Sequence, residues 1–173
     1  TSNYILSEMD KHKNSFDEVL SNAKKLGYAE SNPSADLNGD DVSAKLKILS
    51  SLCFNSFLNH NIYVEGIMDI DKNDIDNANK LGYKIKLLGF AENINNKIYQ
   101  RVHPTLIKKT SYIASIDGVL NAVIVEGKPI GQSIIQGEGA GPEATTSALI
   151  SDICSILRGN IKFPFSISNK ERK

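Results

Sequence analysis

The chain has 173 residues, 40% hydrophobic and 23% charged, with 20 Lys and Arg against 20 Asp and Glu. That suffices for one globular domain with its own core, and the even balance leaves no basic footprint for nucleic acid and no polybasic patch for an anionic membrane. No apolar run approaches the ~18 residues of a membrane span, and nothing at the start has the pattern of a signal peptide. Cys53 and Cys154 sit in apolar runs without metal-type spacing and read as reduced core thiols of a cytoplasmic protein. The sequence opens without Met and closes on "SNKERK", so it reads as a piece of a longer protein.

In chain order, "NYILSEM" predicts a short helix. A second helix starts at Ser15, whose Glu18 three residues on completes a capping box, and carries Phe16, Val19, Leu20, Ala23 and Leu26 on one face up to Gly27. A polar stretch follows, then a longer helix over about 39–55 and another over about 72–81, stopped at Gly82. The period then changes. Strands are predicted over 84–92 and 97–107 around "NINN", and two more around "EGKP" within "GVLNAVIVEGKPIGQSII". A glycine-rich turn, "GEGAGP", leads into a last helix over about 143–158. Helices, then strands, then a helix imply an α+β fold with a mixed, largely antiparallel sheet covered on one face by helices. No internal repeat or low-complexity linker divides it, so residues 1–160 form one domain and 161–173 a C-terminal tail.

The charges on the long helix fall into two sets. A 100° step places Val42, Leu46, Leu49 and Cys53 on one stripe, with Asp40, Ser43, Lys47, Ser50 and Ser51 on the opposite, wet side. Asp41 and Lys45 instead share a stripe with Ile48 and Leu52, and their i,i+4 spacing lets them touch. With Asn38 as N-cap, Asp41 also serves as the acid of a capping box. A lysine on a buried face loses hydration and its pKa falls, which suits it to exchange a proton near neutral pH. Glu30 and Asp36, in the loop before the helix, are positioned to converge in front of Lys45. Carboxylates for an ammonium and a lysine for an oxygen suit a small zwitterion.

Rival readings of these motifs fail on spacing. "DLNGDD" is no EF-hand, because the sixth and twelfth places from Asp36 hold Asp41 and Lys47 rather than Gly and Glu. "GEGAGP" lacks the third glycine of G-x-G-x-x-G, where Pro142 stands, and reads as a strand-to-helix turn. The small residues after it, Ala144 to Ala148, let that helix end approach another surface closely. His103 reads as a strand-end residue, His12 and His60 as surface, and no His/Cys cluster suggests a metal.

Three stretches carry a resemblance. "KLGYAESNPSADLNGDDVSAKLKIL" resembles the homoserine dehydrogenase substrate-domain pattern G-Y-x-E-x-D-P-x-x-D-x-x-G-x-D-x-x-x-K, with Asn32 where the family commonly has Asp. "VLNAVIVEGKPIGQSIIQGEGAGPEATTSALISDI" is similar to its N-A-V-x-V-x-G through G-x-G-A-G-x-x-x-T-x-S-A-x-x-x-D-I stretch, with Glu143 where many members have a small or apolar residue. "TSNYIL" resembles the end of its G-T-x-N-Y-I-L segment. The resemblance implies NAD(P)-dependent interconversion of L-homoserine and L-aspartate 4-semialdehyde, in the biosynthesis of threonine, methionine and isoleucine. It implies Lys45 as the acid/base and Asp41 as the residue that positions it. It also implies Glu30 in contact with homoserine, Asp36 and the Gly27–Tyr28 backbone lining the pocket, and Gly139 and Gly141 where this domain meets the cofactor. The NAD(P) would be bound mainly by an N-terminal nucleotide-binding domain absent from these residues, so the fragment alone is expected to be inactive, and to form a homodimer through its sheet. Two other classes remain: a non-catalytic amino-acid-binding or oligomerisation module, and an NAD(P)-linked oxidoreductase acting on another small hydroxy acid. Lys45 pointing away from Glu30 would favour the module.

Overall fold

A computed structural model describes residues 1–58, 60–139 and 141–160; the expected tail over 161–173 lies outside them. Helices α1 (Ser2–His12) and α2 (Phe16–Lys25) form the first layer, and the α2 capping box at Ser15 and Glu18 is present as the spacing predicts. The polar stretch is itself partly helical: α3 (Ser34–Asn38) runs into α4 (Asp40–Phe54) through Gly39. Gly39 has a φ of 86°, and a Cβ there would stand 3.1 Å from Val64 Cγ1, so both backbone and space call for glycine. Because Gly39 is the N-cap, α4 has no side-chain cap, and the capping box expected from Asn38 and Asp41 does not form.

Strand β1 (Tyr63–Val64), helix α5 (Lys72–Lys80) and strands β2 (Tyr83–Ile94) and β3 (Lys97–Lys108) follow. The β2–β3 hairpin turns on Asn95 and Asn96, both at positive φ, the geometry that asparagine tolerates and that matches strand twist. β1 is a short parallel addition to β3, which makes the sheet mixed, in the order β1-β3-β2. His103 lies inside β3 opposite Leu88, stacked on Phe90, rather than at a strand end.

Strands β4 (Leu120–Gly127) and β5 (Gly131–Glu138) form a separate antiparallel hairpin, and α6 (Pro142–Leu157) completes the order. The architecture is α+β with a mixed, largely antiparallel sheet, but divided into two pieces. Strand alternation explains how the larger piece is covered: Ile85 and Leu87 pack on α1, and Gly89, on the same face, lies against Val42 and Leu46 of α4. The core is Ile5, Leu6 and Met9 of α1 with Val19, Leu37, Ile67 and Ile75. Cys53 is exposed and Cys154 half-buried, so the pair of core thiols is not realised. Among the described residues no helix is long and apolar enough to cross a membrane.

Candidate functional site

The predicted charge stripes of α4 are rotated in the fold. Ser43, Ser50 and Ser51, assigned to water by the wheel, are buried, and Lys47 is half-buried. Ser50 accepts a hydrogen bond from Gln100 of β3 and donates to the Leu46 carbonyl, and Ser51 donates to the Lys47 carbonyl at 2.6 Å. Small side chains let the helix lie close on the sheet, and their hydroxyls find partners there, so burial costs little. The apolar members of the other stripe face outward, with Ile48 56% exposed. Lys45 is therefore not withdrawn from water in this chain: its side chain is 61% exposed and that of Asp41 37%.

The pair itself forms. Lys45 Nζ donates to Asp41 Oδ2 at 2.7 Å, one helical turn apart. Both line a cavity of about 410 Å³ that also takes in Glu30, Asp36, Gly27 and Tyr28. Each wall has a local cause. Gly27, at φ 75°, ends α2, and the Tyr28 N–H bonds back to the Ala23 carbonyl at 2.9 Å, which fixes the start of the loop. Tyr28 packs on Tyr4 at 5.1 Å between ring centroids. Asn32 Oδ1 accepts from the Ser34 N–H at 3.3 Å and leads the chain into α3, whose first turn carries Asp36. The far end of α3 is anchored by the Ile67 N–H on the Leu37 carbonyl at 2.8 Å.

Several lining residues were not singled out from the sequence. Thr1 Oγ1 lies 2.7 Å from the Tyr28 carbonyl and within hydrogen-bond reach of Asp36 Oδ2, so its single proton serves one acceptor at a time. Ser2 Oγ donates to the Asp36 carbonyl at 2.7 Å. Asn3 and Asn121 line the cavity too. Thr1 and Asn3 stand in the "TSNYIL" string and Asn121 in "NAV", so the signal was present as motif letters without a stated role.

The opposite wall is the glycine-rich turn. Gly139 lines the cavity; Gly141, at φ 116°, caps α6 and does not. The Asn121 amide occupies the space a Cβ at Gly139 would need, so the turn presents bare backbone there. The turn does not make a G-x-G-x-x-G phosphate cradle. Among the described residues no group of three His, Cys, Asp or Glu could hold a metal ion. A larger cleft of about 830 Å³ opens between β2 and β4, and Asn3, Leu87 and Asn121 belong to both.

The fold is an α+β domain whose cavity gathers three carboxylates and one lysine, with Gly139 on its wall. The chain belongs to the homoserine dehydrogenase family, whose sequence pattern it matches over residues 1–154. It is 45% identical to the homoserine dehydrogenase of Neisseria gonorrhoeae, over 91% of this chain and 37% of that protein. The Helicobacter pylori homoserine dehydrogenase is 46% identical, over 91% and 38%. The crystal structure of a homoserine dehydrogenase from Thiobacillus denitrificans superposes with a TM-score of 0.85 at 44% identity, over 94% of this chain and 38% of that one. A hyperthermophilic archaeal homoserine dehydrogenase mutant in complex with NADPH gives 0.66 at 25% identity, over 89% and 43%. The chain thus spans less than two fifths of the curated relatives it matches.

Proposed function

We propose that these residues are the substrate-binding, acid–base and dimerisation part of an NAD(P)-dependent oxidoreductase that interconverts L-homoserine and L-aspartate 4-semialdehyde in the cytoplasm, on the way to threonine, methionine and isoleucine. The observation that carries this is the convergence of Glu30, Asp36, Asp41 and Lys45 on one cavity whose far wall is Gly139. Three carboxylates to one ammonium favour a ligand with its own ammonium group, which Glu30 and Asp36 receive. Lys45 faces the substrate hydroxyl. Oxidation of that primary alcohol to an aldehyde releases a proton from oxygen and a hydride from carbon. NAD(P), when bound, supplies the hydride acceptor. Lys45 in its neutral form takes the hydroxyl proton, and in the reverse direction its ammonium returns it to the oxygen. Asp41, 2.7 Å away, holds the amine on its line of approach. Closing the exposed rim with the rest of the protein and the cofactor would withdraw Lys45 from water and hold its amine against the substrate oxygen.

The test is Lys45→Ala in the full-length enzyme. We expect kcat to fall by about 10²–10⁴-fold, the usual share of a positioned acid/base, with an unchanged fold by circular dichroism. Glu30→Gln should act mainly on the KM for homoserine. A Lys45→Ala enzyme with wild-type kcat would remove the acid/base role. The exposure of Lys45 keeps a second reading in play, an amino-acid-binding module without chemistry. Turnover of homoserine by the full-length protein excludes that reading, and a hydroxy-acid panel separates homoserine from other small substrates.

A further inference from the structure

Lys86 stands in the first half of β2, 5% exposed, between Ile85 and Leu87. Its three ammonium hydrogens have three acceptors: the Ile116 carbonyl at 2.6 Å, Asp117 Oδ1 at 2.8 Å and Asn3 Oδ1 at 2.9 Å. Asn3 is as fully used. Its Nδ2 lies 2.8, 3.0 and 3.2 Å from the carbonyls of Leu120, Ile116 and Gly118. The same faces of α1 and β2 hold the segment between Ile116 and Leu120 at further points, because the Gly118 N–H donates to Ser7 Oγ at 3.2 Å and Lys84 Nζ reaches the Asp117 carboxylate at 3.0 Å. A buried ion pair of this kind is about as stable as an apolar replacement of the same shape, so stability is a weak reason for it; what it does supply is a fixed arrangement.

Two functional walls hang from that arrangement. Asn3 is two residues from Thr1, whose hydroxyl reaches Asp36 in the amino-acid cavity. Leu120 is followed by Asn121, which fills the space beside Gly139, and the Gly139 N–H donates to the Val119 carbonyl at 3.1 Å. We propose that Asn3, Lys86 and Asp117 form a positioning cluster that sets the glycine turn at a fixed distance from the amino-acid cavity, and so aligns the two reacting partners. This rests on the oxidoreductase reading for its kinetic consequence, though not for its geometry. Neither Lys86 nor Asp117 lines the amino-acid cavity, so their replacement removes no group that touches the amino acid.

The experiment uses the full-length enzyme with Lys86→Met and, separately, Asp117→Asn, which keeps the shape and loses the charge. Steady-state kinetics are measured for both substrates, with amide hydrogen exchange of the 116–121 and 137–139 segments. A misplacement of about 1 Å can cost around 10²-fold, so we expect Lys86→Met to lower kcat by roughly 10- to 100-fold and to raise the cofactor KM, with the homoserine KM within about twofold. Asp117→Asn should fall between that variant and wild type. Exchange should quicken at Gly118 and Gly139 while the β2–β3 ladder stays protected. Folded variants with wild-type kcat and cofactor KM overturn the proposal. So does exchange that quickens evenly through the domain, or failure of both variants to fold, since a structural role then accounts for the cluster. A wild-type enzyme inert toward homoserine would sink the substrate assignment alone, and the exchange measurement would still decide the clamp.

Discussion

Lys45 and Lys86 each hold an aspartate within hydrogen-bond distance, at 2.7 and 2.8 Å, yet water makes them different objects. The exposed Lys45–Asp41 pair is screened, and contributes about 0.2–1 kcal/mol at most to stability. Its value is geometric, because it aims an amine into a cavity. The Lys86 ammonium is out of water, and its partner Asp117 is only half-buried. Burial pulls the Lys86 ammonium below its ordinary pKa, against the hydrogen bond and charge of Asp117 that raise it. Burial also raises Asp117, but the hydrogen bonds and charges of Lys86 and Lys84 outweigh it and leave the carboxyl below its ordinary value. A carboxyl depressed on folding contributes stability that is complete above its unfolded pKa and is lost as pH falls through the folded one. Melting temperature should therefore drop on acidification below about pH 4, the ordinary carboxylate range, and Asp117→Asn should flatten that acid limb. An acid limb identical in the two proteins would show that Asp117 is not the group responsible.

At the scale of elements, α4 is where periodicity and packing disagree. The apolar stripe is real in the string, but the sheet face it meets has Gly89 at the crossing, which admits Val42 and Leu46 and brings the serines down onto the strands. Interior positions resist added volume. Ser50→Leu should cost about 1–3 kcal/mol in urea denaturation, since it overfills a close contact and leaves Gln100 without its serine partner. Ile48→Ser, on the exposed side, should change the stability of this domain alone by less than about 0.5 kcal/mol. The opposite ranking would restore the wheel's orientation. The Ser15–Glu18 box caps α2 and Asn95–Asn96 turn the hairpin as the spacing predicts, and Asp71 and Asp74 form a second box on α5 that the spacing had not singled out; the box expected at Asn38 and Asp41 is displaced by Gly39. Those that form rest on contacts within a few residues, whereas at α4 the close approach of Gly39 to Val64 sets where the helix starts.

The whole molecule is asymmetric in how well it is covered. The α1–α2–α5 side has a closed core, whereas α6 has no buried residue and exposes Leu149, Ile150, Ile153, Ile156 and Leu157. The β4–β5 hairpin exposes Ile130, Ile134 and Ile135, and α4 adds Ile48 and Leu52. An apolar surface of this extent is what association sites look like before they are filled. The isolated 173 residues should therefore sediment as dimers or larger species and bind a hydrophobic dye, and the full-length enzyme should bind much less of it. A monodisperse, dye-silent monomer would contradict this.

Much of the fold and the site is legible in the string, for reasons that differ by residue. The order of the main elements, the α2 cap, the β2–β3 turn and the fold class follow from local chemistry and period. The helical step and the loop before it named Glu30, Asp36, Asp41 and Lys45 as neighbours, while the Gly27–Tyr28 wall came only with the family resemblance. Only the tertiary structure decided which side of α4 meets the sheet, that Lys45 stays wet in this chain, that the strands divide into two pieces, and that Thr1, Asn3 and Asn121 join the walls. Those outcomes depend on surfaces brought together from positions up to more than a hundred residues apart, such as Asn3 and Leu120. No window of sequence contains such a contact, and packing, which favours the closest fit over the greasiest stripe, settles it.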